Sequence, residues 1–374
     1  NKQFWDNGTI NWATTTEVNE TYIVSTNEKI TNQAVAELKM KILPINTILL
    51  AMYGQGKTRG KVALLRIEST INQAFASIKP NKNYSTNFIF NYLDKSYEKI
   101  RDLSHGSNQD NLNLDIVKAL QVPLPPLKEQ EKIAEILTTW DEAITKQTEL
   151  LEAKELQKKA LMQKLLSGEV RFDGFSDKWE EVRIDKLFDF KKGQELSKEK
   201  LEKNGIFECI LYGELYTTYS EVISEIKSKT NIKEGIKSKI DDILIPASTT
   251  TSAIDLAIAS TIQKDNVLIG GDINILRKKT NNINGEFISK YLTHIKKMEI
   301  AKYAQGITII HLYSKDFKHL KIQLPSLPEQ QKIAEVLSLA DDEINLLKNE
   351  LEELNLQKKA LMQKLLTGEV RVKV

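Results

Sequence analysis

The strongest pattern along the chain is a heptad run. From Ile333, core positions recur by four and three through Leu337, Ala340, Ile344, Leu347, Leu351, Leu354, Lys358, Leu361 and Leu365. That spacing predicts a long helix with a coiled-coil seam. The same register returns at Ile133, Leu137, Trp140, Ile144, Gln147, Leu151, Lys154, Lys158, Leu161 and Leu165, with a more polar middle that predicts a looser seam. Gly168 and Gly368 follow the last apolar turns, where a left-handed C-terminal cap is needed. Ser326-Leu-Pro-Glu329 fits a capping box, with Pro328 tolerated in the first turn. A helix of about 37 residues, ~55 Å long, outruns a compact domain of this size. The two helices are therefore expected to lie against each other, antiparallel, with one globular unit near each end, in place of each packing on its own domain.

Both helices belong to a larger repeat. "LPPLKEQEKIAEIL" (124–137) returns as "LPSLPEQQKIAEVL" (324–337), and "QKKALMQKLLSGEVR" (157–171) as "QKKALMQKLLTGEVR" (357–371), both at an offset of 200 residues. The chain reads as a tandem duplication with too long a period for a solenoid. Before each helix, short β-branched runs at 47–50, 62–67 and 254–258 predict strands, and 88–100 and 287–304 predict modest helices. "NTILLA" overlays "DDILIP", and Gly106 and Gly306 fall at equivalent places. The fold class is α+β: two mixed α/β units separated by two long helices that form an antiparallel coiled coil, with a pseudo-twofold internal repeat. Its boundaries are expected at 1–123, 124–170, 171–323 and 324–374. The second unit opens with "DKWEEVRIDKLFDFKKGQEL", which has no counterpart in the first. The first unit is thus expected to lack its opening strand region, and residue 1 is expected not to be the natural beginning.

Composition narrows the function classes. At 374 residues and 41% hydrophobic content, two ordinary domains with real cores are possible. A formal net charge of +2 means that any nucleic-acid face must come from local clustering. The single Cys209 excludes an internal disulfide, and no apolar run is long enough to span a bilayer, which reads as a reduced, cytoplasmic protein. His105, His294, His311 and His319 have neither Cys partners nor a metal-binding spacing. No Asn/Asp-Pro-Pro-aromatic motif of an adenine methyltransferase is present.

One stretch raises an enzymatic reading. Ala51-Met-Tyr-Gly-Gln-Gly56-Lys57-Thr58 fits a relaxed phosphate loop. A phosphate loop must open a helix, yet Gly60 interrupts the first turn, and the equivalent stretch "STTTSAIDLAIAS" alternates as a strand would. Strand, loop, strand is the expectation. Lys57, Arg59, Lys61 and Arg66 instead form a basic Gly-rich loop with no acid between them. Gln55, Lys57 and Arg59 could contact base edges, with a solvated hairpin tip as the alternative.

The duplicated "LPPLKEQEKIAEIL" and "LPSLPEQQKIAEVL" blocks, the two "QKKALMQKLL(S/T)GEVR" ends and "KWEEVRIDKLFDFKKG" together resemble the specificity subunit of type I restriction-modification systems. That resemblance implies two target-recognition domains, each reading half of a split double-stranded DNA target, and helices that bind two modification (methyltransferase) subunits. Restriction and translocase subunits are further partners, and no membrane is involved. S-adenosylmethionine, ATP and Mg would belong to partner subunits, with no cofactor or catalysis in this chain. The implied DNA-binding positions are Gln55, Lys57, Thr58, Arg59 and Lys61 in the first loop, with Ser248, Thr249, Thr250, Thr251 and Ser252 as their counterparts. Ser107, Asn108, Gln109 and Thr308 follow the equivalent glycines; Lys191 and Lys192 would face phosphates, and Tyr212 and Tyr216 a groove. The alternatives are a coiled-coil scaffold that does not read DNA and, further off, a phosphate-loop nucleotide-binding enzyme.

Overall fold

The computed structural model describes residues 1–19, 21–54, 56–104, 111–194 and 196–374. It divides into two units, Asn1–Glu149 with Lys348–Val374, and Leu150–Leu347.

The first unit is built on four strands in the order Tyr22–Ile23, Val62–Leu65, Ile48–Ala51, Phe75–Ile78. Ile48–Ala51 runs antiparallel to both neighbours, with Ile48 opposite Leu64 on one side and Ile78 on the other. Every residue of Ile48–Ala51 and Val62–Leu65 is buried, because successive side chains point to opposite faces and each face has a core of its own. Ile48, Leu50, Val62 and Leu64 pack with Phe88 and Leu93, with Ile133 and Leu137 of the first long helix, and with Leu365 and Leu366 of the second. Leu49, Ala51, Ala63 and Leu65 pack with Ala13, Val18 and Ile23. A three-stranded sheet, Glu28–Ile30, Ile10–Ala13, Thr70–Ile71, lies beyond that second core.

The second unit repeats this order with one strand more. Val222–Ile223, Ser260–Ile262, Asp242–Pro246 and Ile273–Lys278 are followed by Phe188–Lys192 at the edge. Glu180–Arg183 pairs separately with Lys321–Leu324. Here too the strands feed two cores, Ile243 and Ile245 facing one and Leu244 the other.

The long helices run over Leu127–Ser167 and Leu327–Leu366. Within the first unit Asp141 pairs with Lys358, and Gln147 Nε2 donates to Glu350 at 2.9 Å. Within the second, Lys158 pairs with Asp341 and Lys154 with Glu343 at 2.6 Å. In each unit one number rises as the other falls, so the paired segments are antiparallel. All the heptad positions named above are buried or half-buried, and the lysines among them sit in the seam because each reaches a carboxylate on the facing segment.

The Glu-Gln pair of the repeated signature makes the joints. Glu129 takes Arg371 Nε at 2.7 Å and Nη2 at 2.6 Å, and Glu329 takes Arg171 Nε and Nη2 at 2.7 Å each. Two parallel N–H···O bonds fix both distance and orientation, which Lys could not do. Gln130 Oε1 accepts from Ser85 N, and Gln330 Oε1 from Asn284 N, so each long helix grips the residue that caps the helix Thr86–Lys95 or Gly285–His294.

Three expectations need correction. Residues 254–258 are not a strand: Ser252 and Asp255 form a capping box that starts the short helix Ala253–Leu256, and the strand begins at Ser260. The stretches 88–100 and 287–304 are each two helices, Thr86–Lys95 with Tyr97–Asp102 and Gly285–His294 with Lys297–Ala301. The carboxylate of Glu329 does not serve Ser326; Arg171 and Trp179 engage it instead. The glycine caps hold, with φ of 74° at Gly168 and 76° at Gly368.

Candidate nucleic-acid interface

In the first unit the strand Ile48–Ala51 turns through the loop 52–61 and returns directly as Val62–Leu65. Gly54, Gly56 and Gly60 hold φ of 138°, 65° and 86°, in the left-handed region that favours glycine. Gly60 N donates to Ala51 O at 2.8 Å and Lys61 N to Thr58 O at 3.1 Å, so the loop closes on itself. No helix follows Lys57-Thr58, and without a helix N-terminus the backbone cannot cradle phosphates as a phosphate loop does.

The loop is tied to the helix Tyr97–Asp102, where Tyr97 Oη donates to Lys57 O at 2.8 Å and Arg101 Nη1 to Tyr97 Oη at 2.6 Å. Lys57 is exposed, while Thr58 and Lys61 are half-buried. Arg59 is only 8% exposed and turns away from solvent, contrary to its expected place at a DNA surface. Beside it Gly60 lies close to the helix Tyr97–Asp102, where an added Cβ would meet Tyr97 O at 3.5 Å and Arg101 at 3.6 Å. Gln55, Ser107, Asn108 and Gln109 lie outside the described residues.

In the second unit the equivalent strand, Asp242–Pro246, leads into Ser248–Thr249, which pairs with Ile310–His311. Tyr212, Tyr216, Ser248, Thr249, Thr250 and Thr251 come together on the wall of one open cleft of about 670 Å³. Ser248 and Thr249 are largely buried, and Thr250, Thr251 and Ser252 exposed. Tyr216 Oη donates to Ser248 O at 2.8 Å, and burial pushes its pKa well up, so the phenol stays a neutral donor. Thr251 Oγ1 and Ser252 Oγ donate to Asp255 at 2.5 and 2.8 Å and hold its carboxyl below the usual range. Ser252 is thus committed to its helix cap. Thr308 is exposed beside the fully open Ile307.

Lys191 and Lys192 are both exposed but separate, as adjacent residues of a strand must. Lys192 Nζ lies 3.5 Å from Asp272 at the cleft, while Lys191 lines another recess with Lys237, Lys239 and Arg277. The cleft also holds residues the sequence reading missed: Asp255, Asp272, Lys297 and His311. Asp272 accepts from Ser248 Oγ at 3.3 Å and has φ of 57°. Gly270-Gly271-Asp272 between two apolar strands was a readable turn signal, but His311 and Lys297 reach the cleft only through tertiary packing. His311 stacks on Tyr313, with ring centroids 5.7 Å apart.

Hydroxyls, an amphipathic tyrosine, a carboxylate that only accepts and a lysine that only donates can together distinguish base edges. The first unit offers a different set on the same strand ending. Among the described residues no His, Cys, Asp and Glu group could hold a metal ion, and no helix is long and apolar enough to cross a membrane.

Comparison with known proteins matches this duplicated architecture. Residues 1–155 and 176–356 each match the type I restriction modification DNA specificity domain. The type I restriction enzyme MjaVIII specificity subunit of Methanocaldococcus jannaschii is 24% identical over 361 residues, spanning 92% of this chain and 82% of that one. The fold is similar to that of the S subunit from M. genitalium, with a TM-score of 0.60 at 19% identity, covering 97% of this chain and 90% of that one. The HsdS subunit from Thermoanaerobacter tengcongensis gives 0.52 at 18%, covering 98% and 92%. The chain therefore belongs to the type I restriction-modification DNA specificity family, carries its domain twice, and has the DNA-recognition role in such a system.

Proposed function

We propose that each unit reads one half of a split, asymmetric double-stranded DNA target. In this reading the paired helix segments carry two modification subunits, with restriction and translocase subunits joining the complex. The observation that supports it most is that the same strand-and-loop frame ends in unlike chemistry: a Gly-rich loop presenting Lys57 in one unit, a hydroxyl, tyrosine and Asp272 cleft in the other. Near-identical helix signatures fit one kind of partner bound twice, whereas unlike loops fit two targets. Lys57, Lys61 and Lys192 supply backbone or base contacts, and Tyr212, Thr250, Thr251, Asp272 and Thr308 the readout of the second half. Thr58, Ser248, Thr249, Tyr216 and Ser252 shape the walls.

The chain itself performs no chemistry in this scheme; S-adenosylmethionine, ATP and Mg act on its partners, in the cytoplasm. A net charge of +2 suits a subunit whose partners contribute much of the phosphate neutralisation. An electrophoretic shift on DNA carrying the methylated motif, with and without purified modification subunits, tests it. Sequence-selective retardation that strengthens with those subunits is expected. A chain that binds the subunits yet never confers sequence selectivity would be a scaffold.

A further inference from the structure

The rim of the second unit's cleft carries apolar side chains that its polar floor does not explain. Ile307 is 99% exposed, and Ile309, Tyr212 and Tyr313 are exposed as well. Scattered singly, such residues would need no account. Here Ile309 and Tyr212 line the same cleft as Ser248, Thr251 and Asp272, and Ile307 lies two residues before Ile309 on one turn.

That turn is built to hold its shape. Gln305 N donates to His311 O at 2.8 Å and His311 N to Gln305 O at 2.7 Å, which closes the segment 305–311 into a hairpin. Gly306 has φ of 137°, and a Cβ there would collide with Ile309 O, so the closure requires glycine. Ile310–His311 then pairs antiparallel with Ser248–Thr249 as a separate two-stranded sheet. Isoleucine is β-branched and stiff at χ1. A closed turn carrying it gives up little freedom when it meets a ligand.

With DNA as the ligand, chemistry narrows what these residues can touch. An aliphatic side chain can bond neither to phosphate oxygens nor to the donors and acceptors of base edges. The major groove admits a two-stranded β-ribbon, and the apolar group it displays there is the C5-methyl of thymine. Apolar wedges between base steps are a device of minor-groove binders, and a minor groove about 6 Å wide does not suit a ribbon. We propose that Ile307 and Ile309 read thymine in the second half-site by contact with its C5-methyl; this rests on the DNA reading above and adds a base identity to it. At the 200-residue offset the first unit has the polar Ser107 and Gln109, so this methyl reading belongs to the second half alone.

The test uses the complex of the full chain with its modification subunits. It is titrated with fluorescent duplexes carrying the methylated motif, in which each thymine of either strand is replaced in turn by deoxyuridine, which lacks only the C5-methyl. At one position of the half that residues 177–323 specify, the wild-type complex should bind the uracil duplex about fourfold more weakly, the worth of one buried methyl. Ile307→Ala combined with Ile309→Ala should bind the thymine duplex more weakly by a similar factor and no longer tell the two apart. Uracil tolerated throughout that half, a half that specifies no A·T pair, or a variant that discriminates as wild type does would each overturn the proposal and leave selective DNA binding standing. A complex with no sequence selectivity on any duplex would overturn the DNA reading together with it.

Discussion

At the scale of single residues, the proposed recognition loop of the first unit separates side chains that look alike in sequence. Lys57 is exposed and Arg59 buried, although both stand in one basic run. Replacing Lys57 by Ala is expected to weaken DNA binding by the complete complex by about 1–3 kcal/mol if a base contact is lost, with the folding transition unchanged. Arg59→Ala should instead lower stability first, which thermal melts and filter binding on the same preparations separate. Asp272→Asn exchanges an acceptor for a mixed donor and acceptor, and should relax or alter one position in one half of the methylated motif while leaving thermal stability close to wild type. Cys209 is buried, and burial pushes its thiol up to about 11. Because the thiolate is the reacting form, thiol reagents at pH 8 should label the folded chain far more slowly than the urea-unfolded one.

At the scale of elements, the glycine caps and a partly exposed ion pair at a helix end set local stability. Gly168 and Gly368 share a positive φ, so alanine is strained at both, but only Gly168 abuts a tryptophan ring. Gly168→Ala should cost about 1 kcal/mol or more, and Gly368→Ala measurably less, as read from urea midpoints. The helix Gly285–His294 ends on His294, which bonds Glu221 at 2.7 Å and holds that carboxyl at about 2. A carboxylate depressed from its ordinary value of 4.5 stabilises the fold above that pH and loses its contribution as the pH falls toward 2. His294→Ala should therefore flatten the fall in urea midpoint between about pH 5 and pH 3, and an unchanged pH profile would remove this pair from the account.

Much of the element-scale architecture was legible. Heptad spacing located the paired helices because burial of one stripe is what the spacing encodes, and Lys158 and Lys358 kept their register because each meets an aspartate. The β-branched and aliphatic runs at 47–50 and 62–67 pointed to the strands that the structure places at 48–51 and 62–65. What failed was local. The alternation Ile254, Leu256, Ile258 looked like a strand, yet Asp255 formed a capping box with Ser252 and turned the segment into helix. The cleft was half legible: its hydroxyls and tyrosines lay in short quotable runs, while Lys297 and His311 come from segments whose packing no local pattern encodes.

At the scale of the whole molecule, duplication is the central fact. Two copies of one frame are alike where the Glu-Gln joints and the helix seam demand it, and differ in the loops proposed to read DNA. Independent modules on common supports are the physical content of that division. The most direct test replaces residues 177–323 by the same segment of a relative with a known target, places the chimera with its complete modification system in a host, and maps genome-wide methylation. One half of the split motif should change to the relative's while the other stays as it was. A motif changed in both halves would contradict the account, as would one that remains wholly wild type.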